Sequence, residues 1–303
     1  MTILTPVAPP ALLLATAARI DHELASMLDA HQSSVPNRLW QAMRYSLLAG
    51  GKRIRPTLLL SCFAACGGKD ETVAMPAALA LDCLHTYSLI HDDLPCMDDD
   101  AMRRGQPTCH CQFDEATAVL AADALHSLAF GLLMEGSVSD ATKVALCQGL
   151  ELAAGCRGMV GGQMLDMEAE GKKVDDLLQV ERIHLHKTGA LLRFACEAGA
   201  RLAGAGEAQL HGCQRYGEAL GLLFQIVDDI LDATASSEVL GKSAGKDAMQ
   251  HKATYVSLLG LEQARERAQE MCDLAREACA VLGQSAVDAP LYQLADYILH
   301  RSH

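Results

Sequence analysis

Aspartates crowd two short stretches of this 303-residue sequence. The first reads His91-Asp92-Asp93-Leu94-Pro95-Cys96-Met97-Asp98-Asp99-Asp100, and the second Asp228-Asp229-Ile230-Leu231-Asp232. In the second, Asp228 and Asp232 are four apart and share one helix face. In the first, Pro95 must bend or end the helix, and the change of course can bring Asp98 back towards Asp92. Gathering carboxylates is unfavourable. Two like charges about 4 Å apart repel by about 4 kcal/mol at an effective dielectric of about 20. A divalent cation offsets this, and an all-oxygen ligand set suits Mg²⁺ rather than zinc or copper. Mg²⁺ is held by one or two carboxylates and completes its shell with water and substrate phosphates. Two facing clusters would then clamp a diphosphate between metal ions. One aspartate run alone reads as a solvated helix end; two, each embedded in an apolar helical stretch, do not. A di-iron bundle needs paired E-x-x-H motifs, and Glu181 to His184 has no second motif to match it.

Cations are clustered too. Gly50-Gly51-Lys52-Arg53-Ile54-Arg55-Pro56 sets three positive side chains in four positions beside two glycines. Glycine lets a backbone approach an anion closely, and the arginine fork matches phosphate oxygens. Arg103-Arg104-Gly105 follows the first aspartate cluster. Lys187-Thr188-Gly189 and Gly241-Lys242-Ser243-Ala244-Gly245-Lys246-Asp247 add further donors. The last is not a Walker A loop, because Asp247 follows its lysine. Any one of these could be a surface turn. Together they suggest two polyanion sites, one with metal and lysines, one with Lys and Arg alone. His85 lies two helical turns before Asp92 on the same face. It reads either as a donor to the second anion or as a hydrogen-bonded core histidine.

These residues need a scaffold, and the scaffold is helical. Hydrophobic residues make up 50%, charged residues 21% and aromatics only 4%, a balance that excludes a disordered chain and disfavours a β-sandwich. Helical periodicity predicts elements at about 11–30, 36–49, 55–66, 71–94, 114–133, 139–155, 157–170, 174–203, 206–233, 252–259, 261–282 and 287–300. The stretches 71–94 and 206–233 are apolar nearly all round and belong at the centre of a bundle. No alternation is long enough to argue for a strand. Without a linker, repeat or low-complexity tract, residues 1–303 read as one all-α domain. The net charge of −13 excludes nucleic-acid binding through a general basic field. The twelve cysteines show no C-x-x-C pair, and Cys109-His110-Cys111 lacks zinc-ligand spacing, so reduced cytoplasmic thiols are expected. No signal peptide or membrane span is expected.

In order along the chain, GGKRIRP, LIHDDLPCMDDD, RRG-PT, GGQMLDM, HKTG, FQIVDDILD and GKSAGKD resemble the motifs of trans-isoprenyl diphosphate synthases. The set runs from Gly50 to Lys252 and is most similar to the bacterial farnesyl diphosphate synthase branch. The resemblance implies the all-α isoprenoid synthase bundle around a central cavity. It implies that Asp92, Asp98 and Asp228 ligate three Mg²⁺ ions, supported by Asp93, Asp229 and Asp232. The allylic diphosphate would meet Arg103, Lys187, Gln225, Lys242 and Lys252, with Thr188 and Gln163 beside its reacting end. Isopentenyl diphosphate would sit on Gly51, Lys52, Arg55, His85 and Arg104. The allylic C–O bond would ionise, the second double bond would attack the cation, and a proton would pass to the released pyrophosphate. A dry apolar cavity protects such a cation from water.

The product tail would grow below the first aspartate motif, where Tyr87 and Ser88 lie about one helical turn deeper. A bulky Tyr87 acts as a floor in this reading, giving a C15 product from a C5 starter; an ordinary core aromatic is the alternative. C20 or C10 products are the next readings. A class I terpene cyclase is less well matched, because a paired-aspartate motif appears twice, as D-D-x-x-x-x-D from Asp92 to Asp98 with Pro95-Cys96 as two extra residues and as D-D-x-x-D from Asp228 to Asp232, and the Lys52–Arg55 cluster implies a second diphosphate. A non-catalytic subunit would be expected to lack one aspartate motif. Ala101-Met102 departs from the Asp-Leu common in the family. A homodimer is expected, with the 114–155 region as its interface.

Overall fold

The computed structural model describes residues 8–172, 176–234, 254–284 and 286–302. Its helices form two compact units, one of residues 11–60 and 69–147, the other of residues 1–10, 61–68 and 148–303.

The first unit contains α1 (Ala11–His31), α2 (Asn37–Leu47), the start of α3 (Ile54–Ala65), α4 (Met75–Asp92), a four-residue α5 (Cys109–Gln112), α6 (Glu115–Glu135) and the start of α7 (Asp140–Ala154). Pro76 opens α4 at a position where no amide hydrogen is needed. Ala77 to Leu84 are then buried on every side of the helix, as its apolar sequence requires. α4 packs on α6, whose first turn is capped by Asp114 accepting from the Thr117 amide at 2.7 Å. α3 stops at its glycine pair: Gly67 takes φ 94°, and the Gly68 amide turns back to the Phe63 carbonyl at 2.9 Å.

The second unit contains α8 (Met159–Ala169), α9 (Leu177–His184), α10 (Ala190–Leu202), the 28-residue α11 (Glu207–Thr234), α12 (Tyr255–Leu259), α13 (Leu261–Val281) and α14 (Pro290–His300). α11 runs between α10 and α13. Tyr216 is fully buried at their junction and discharges its hydroxyl onto the Leu291 carbonyl at 2.7 Å.

Two features depart from the sequence reading. The helix expected over 174–203 is interrupted: Leu185–Gly189 form a single π-helical turn between α9 and α10. Strands were not expected, yet Met102–Arg103 (β1) pairs antiparallel with Gln106–Pro107 (β2). The connection is a two-residue turn with Arg104 at φ 51° and Gly105 at φ 76°. Positive φ at both central residues matches the right-handed twist of a hairpin.

Candidate active site

α4 ends at Asp92, with Asp93 as its C-cap. Pro95 prevents further helix, and the chain turns back on itself. The Asp98 amide donates to the Asp92 carbonyl at 2.8 Å, and the Asp100 amide to the Asp93 carbonyl at 3.2 Å. The turn thus brings Asp98 alongside Asp92, with Asp99 in the left-handed region at φ 51°. A helix C-terminus carries partial negative charge, so carboxylates there are disfavoured unless a cation attends them. Arg103 attends Asp93: its Nε lies 2.7 and 2.9 Å from the two carboxylate oxygens, and Nη2 lies 2.6 Å from Oδ1. Burial pushes the Asp93 carboxyl up, and Arg103 opposes that. Asp92 and Asp98, half-buried, form an oxygen-only pair suited to Mg²⁺.

The cation cluster of the first unit is tightly built. Gly50 and Gly51 take φ 84° and 140°. A Cβ on Gly51 would stand 2.9 Å from the Arg104 guanidinium carbon, so only glycine lets Arg104 lie across the loop. Arg104 donates from Nη1 to the Gly50 carbonyl. Arg53 turns inward at φ 50° and is 4% exposed. Its Nε and Nη2 reach Asp21 Oδ1 at 2.8 and 2.7 Å, Nη1 reaches Asp82 Oδ2 at 3.0 Å, and Nη2 donates to the Leu47 carbonyl at 2.7 Å. The Arg53 carbonyl accepts from the Thr57 amide and hydroxyl and so starts α3. Lys52 and Arg55 flank Arg53 and stay half-buried. Burial, then Arg55, Arg104, Arg103 and Arg53, push the His85 imidazole well below its ordinary range, so the ring is neutral.

Tyr87 faces α6. Its ring lies edge-on to His91 and to His126, with centroids 5.0 Å away in each case, and His126 is backed by Phe130 at 5.5 Å. Ser88 spends its hydroxyl on the His85 carbonyl at 2.9 Å.

In the second unit, Gln225, Asp228 and Asp232 follow one face of α11 and are half-buried. Asp228 Oδ1 accepts from Arg301 Nη2 at 2.6 Å. Arg301, just beyond α14, lies 3.9 Å over the Phe224 ring and also donates to the Phe224 carbonyl at 3.0 Å. Asp229 points elsewhere: it is 6% exposed and accepts the Tyr255 amide at 2.8 Å, which fixes the start of α12.

Lys187 and Thr188 project from the π turn. The turn fits because two glycines remove side chains around it, and a third does the same for the start of α10. A Cβ on Gly162 of α8 would stand 2.2 Å from the Lys187 nitrogen, and one on Gly221 of α11 would stand 2.6 Å from the Gly189 Cα. Gly217 makes a similar approach to the Arg193 Cα at 2.6 Å. Lys187 Nζ pairs with Asp166 Oδ2 at 2.6 Å, three residues beyond Gln163 on α8. A cavity of about 890 Å³ in this unit is lined by Arg193, Phe194, Glu218 and Met271 of α10, α11 and α13, together with His186 and Gly189 of the π turn. None of the residues predicted to bind metal or substrate lines it.

Within the first unit the structure therefore gathers Gly51, Lys52, Arg55, His85, Arg103 and Arg104, and separately Asp92 with Asp98. Within the second it sets Gln163, Lys187 and Thr188 about the π turn, and Gln225 with Asp228 on α11. Lys242 and Lys252 lie outside the described residues. Among the described residues no three His, Cys, Asp or Glu side chains already form a metal cage. All twelve cysteines are unbridged, and Cys96 is exposed. Sequence reasoning missed Arg53 with Asp82, Asp166, His126 and Arg301. Asp166 had a signal, lying four positions beyond Gly162 in GGQMLDM. The others are paired across long sequence separations and carried none.

Comparison with known proteins gives a consistent result. The pattern of the polyprenyl synthetase family matches residues 36–286. The chain is 48% identical to farnesyl diphosphate synthase of Escherichia coli over 86% of its own length and 89% of that protein. It is also 48% identical to the heterodimeric geranylgeranyl pyrophosphate synthase large subunit 1 of Arabidopsis thaliana, over 88% of its length and 73% of the relative. The crystal structure of an FPP/GFPP synthase from Zymomonas mobilis superposes with a TM-score of 0.81 at 40% identity, covering 95% of this chain and 98% of that one.

Proposed function

The chain belongs to the polyprenyl synthetase family of trans-prenyl diphosphate synthases, and from that premise we propose that it joins isopentenyl diphosphate to dimethylallyl and then geranyl diphosphate, ending at farnesyl diphosphate. One observation carries the C15 end point: the Tyr87 ring is locked between His91 and His126, with Phe130 behind. At about 1.5 Å of rise per residue, that layer lies about 7.5 Å along α4 below Asp92. A tail growing past this depth meets edge-on packed rings instead of small side chains. The C20 product is the second reading, supported by the equal identity to the Arabidopsis relative.

In this reading the residues divide by charge. Arg103, Lys187, Gln225, Lys242 and Lys252 hold the allylic diphosphate and stabilise the charge that develops on it as it leaves. Bound by Asp92, Asp98 and Asp228, Mg²⁺ supplies Lewis-acid neutralisation of that leaving group. Three ions are proposed. The fit rests on the all-oxygen donor set and, for Asp92, on its place at the C-terminal end of α4, where a carboxylate calls for positive charge. Thr188 and Gln163 present oxygens to the allylic cation. Gly51, Lys52, Arg55, His85 and Arg104 take isopentenyl diphosphate, and neutral His85 acts there as a hydrogen-bond donor. The proton lost after carbon–carbon bond formation leaves with pyrophosphate. The family pattern reaches into both units, which supports reading residues 1–303 as one catalytic domain. We place the protein in the cytoplasm as a homodimer.

The test is product analysis with Mg²⁺, isopentenyl diphosphate and each of the C5, C10 and C15 allylic primers. The C5 and C10 primers should both end at farnesyl diphosphate, and the C15 primer should extend poorly. A C20 end point from all three removes the proposed floor. Failure to consume isopentenyl diphosphate removes prenyl transfer and leaves the cyclase or non-catalytic reading.

A further inference from the structure

Arg53 stands in the middle of the cation loop yet cannot bind substrate, since its guanidinium is turned inward and its side chain is 2% exposed. It is held by Asp21 of α1, the Leu47 carbonyl at the end of α2 and Asp82 of α4, while its own carbonyl starts α3. One residue thus ties four helices together at the loop that carries Lys52 and Arg55, three through its side chain and α3 through its carbonyl. Asp82 sits one helical turn before His85 on α4, so the same tie fixes both walls of the loop. The ion pair also answers an electrostatic difficulty. Arg53 and Arg104 lie close together, and burial, then Arg53, push the Arg104 guanidinium down while Asp82 and Asp21 push it up. The two carboxylates act as built-in counter-ions whenever no anion is bound.

We propose that Arg53, clamped by Asp82 and Asp21, is a positioning residue for the second diphosphate site: it aims Lys52 and Arg55 outward and keeps the cation cluster assembled before the anion arrives. This rests on the assignment of that site to isopentenyl diphosphate. It adds a buried residue that touches no substrate but sets affinity for one of the two substrates alone.

The experiment is steady-state kinetics with both substrates on Arg53→Lys, Arg53→Met and the double variant R53M/D82L. Arg53→Lys keeps the charge and loses the fork. The double variant replaces a buried ion pair with apolar groups, a change that commonly preserves folding. Misplacement of binding groups by a fraction of an ångström should raise KM for isopentenyl diphosphate by about tenfold or more in all three. KM for geranyl diphosphate should stay within about twofold. Thermal melts accompany each assay, so that loss through unfolding, which lowers kcat and leaves both KM values alone, is recognised. A folded double variant with wild-type KM for isopentenyl diphosphate overturns the proposal. So does an equal rise in both KM values. Lys52→Ala and Arg55→Ala are run alongside. If they leave KM for isopentenyl diphosphate unchanged, the site assignment itself fails, and the Arg53 variants are not to blame.

Discussion

Three non-glycine residues among those described take positive φ: Arg53 in the cation loop, Asp99 in the aspartate turn and Arg104 in the β1–β2 hairpin turn. Left-handed backbone in a side-chain-bearing residue costs about 1 kcal/mol or more and persists where surrounding contacts over-determine it. Here the contacts are visible: Arg53 is clamped by carboxylates, and Arg104 is drawn across Gly51. Such strain is illegible in sequence, because nothing about Arg53 distinguishes it from Lys52 or Arg55 until Asp82, 29 residues away, is seen beside it. His85 was half legible. Its spacing from Asp92 placed it, but its neutrality follows from burial and four arginines. The sign of the consequence is fixed. The folded imidazole has its pKa below the ordinary 6.5, so it binds fewer protons than the unfolded chain does. The stability it contributes is complete above pH 6.5 and drains away as pH falls below it. In diphosphate-free buffer, His85→Gln should therefore lose less of its melting temperature than wild type between pH 7 and 5. Parallel slopes would show that His85 titrates normally. Tyr87 is tested by its products. Tyr87→Ala should shift the main product from C15 to C20 or longer with isopentenyl diphosphate in excess, and an unchanged distribution would return Tyr87 to the status of a core aromatic.

At the scale of elements, the long helices were legible because their apolar residues recur with helical period and their ends carry Pro or Gly signals. Pro95 also disclosed the return of Asp98 to Asp92. The π turn was not legible. Its sequence, Leu-His-Lys-Thr-Gly, continues the helical pattern of both neighbours, and the extra residue per turn is stabilised only by what packs on it. The packing explains Gly162 in α8: a Cβ there would stand 2.2 Å from the backbone nitrogen of Lys187. A methyl group there must push α8 off the turn. Gly162→Ala should destabilise the protein by about 1–3 kcal/mol, the usual range for overpacking. Because the displaced backbone belongs to Lys187, the loss of kcat should exceed that of a variant of matched stability. A melting curve paired with kcat at a temperature where both proteins are folded makes the comparison. A destabilised variant with normal kcat would mean that the close approach serves packing alone.

For the molecule as a whole, one apolar helix is left partly uncovered within the chain. α6 buries Ala118, Ala121, Ala122, Leu125 and Leu132 among others, yet leaves Val119, Leu120 and Met134 exposed. It is long and apolar enough to cross a membrane, with a mean hydropathy of 1.6 over its best window, of which 39% is buried. Two occupants could cover such a face, a lipid bilayer or a second copy. The same face carries Asp123, and a carboxylate is disfavoured among acyl chains by more than most residues. Leu120 and Met134 are fourteen residues apart, close to four full turns, and so lie along one stripe with exposed Ser127 and Gly131 between them. Small residues between apolar anchors let two helices approach closely, which a twofold contact between identical helices needs. In sedimentation equilibrium the protein should therefore behave as a species of twice 32.3 kDa. Leu120→Glu places two like charges near the axis and should give the single-chain mass without affecting the α4 contact on the opposite face. If wild type sediments as one chain, or if the variant remains paired, α6 is not the interface. If wild type floats with liposomes in the absence of any partner, the exposed stripe belongs to lipid.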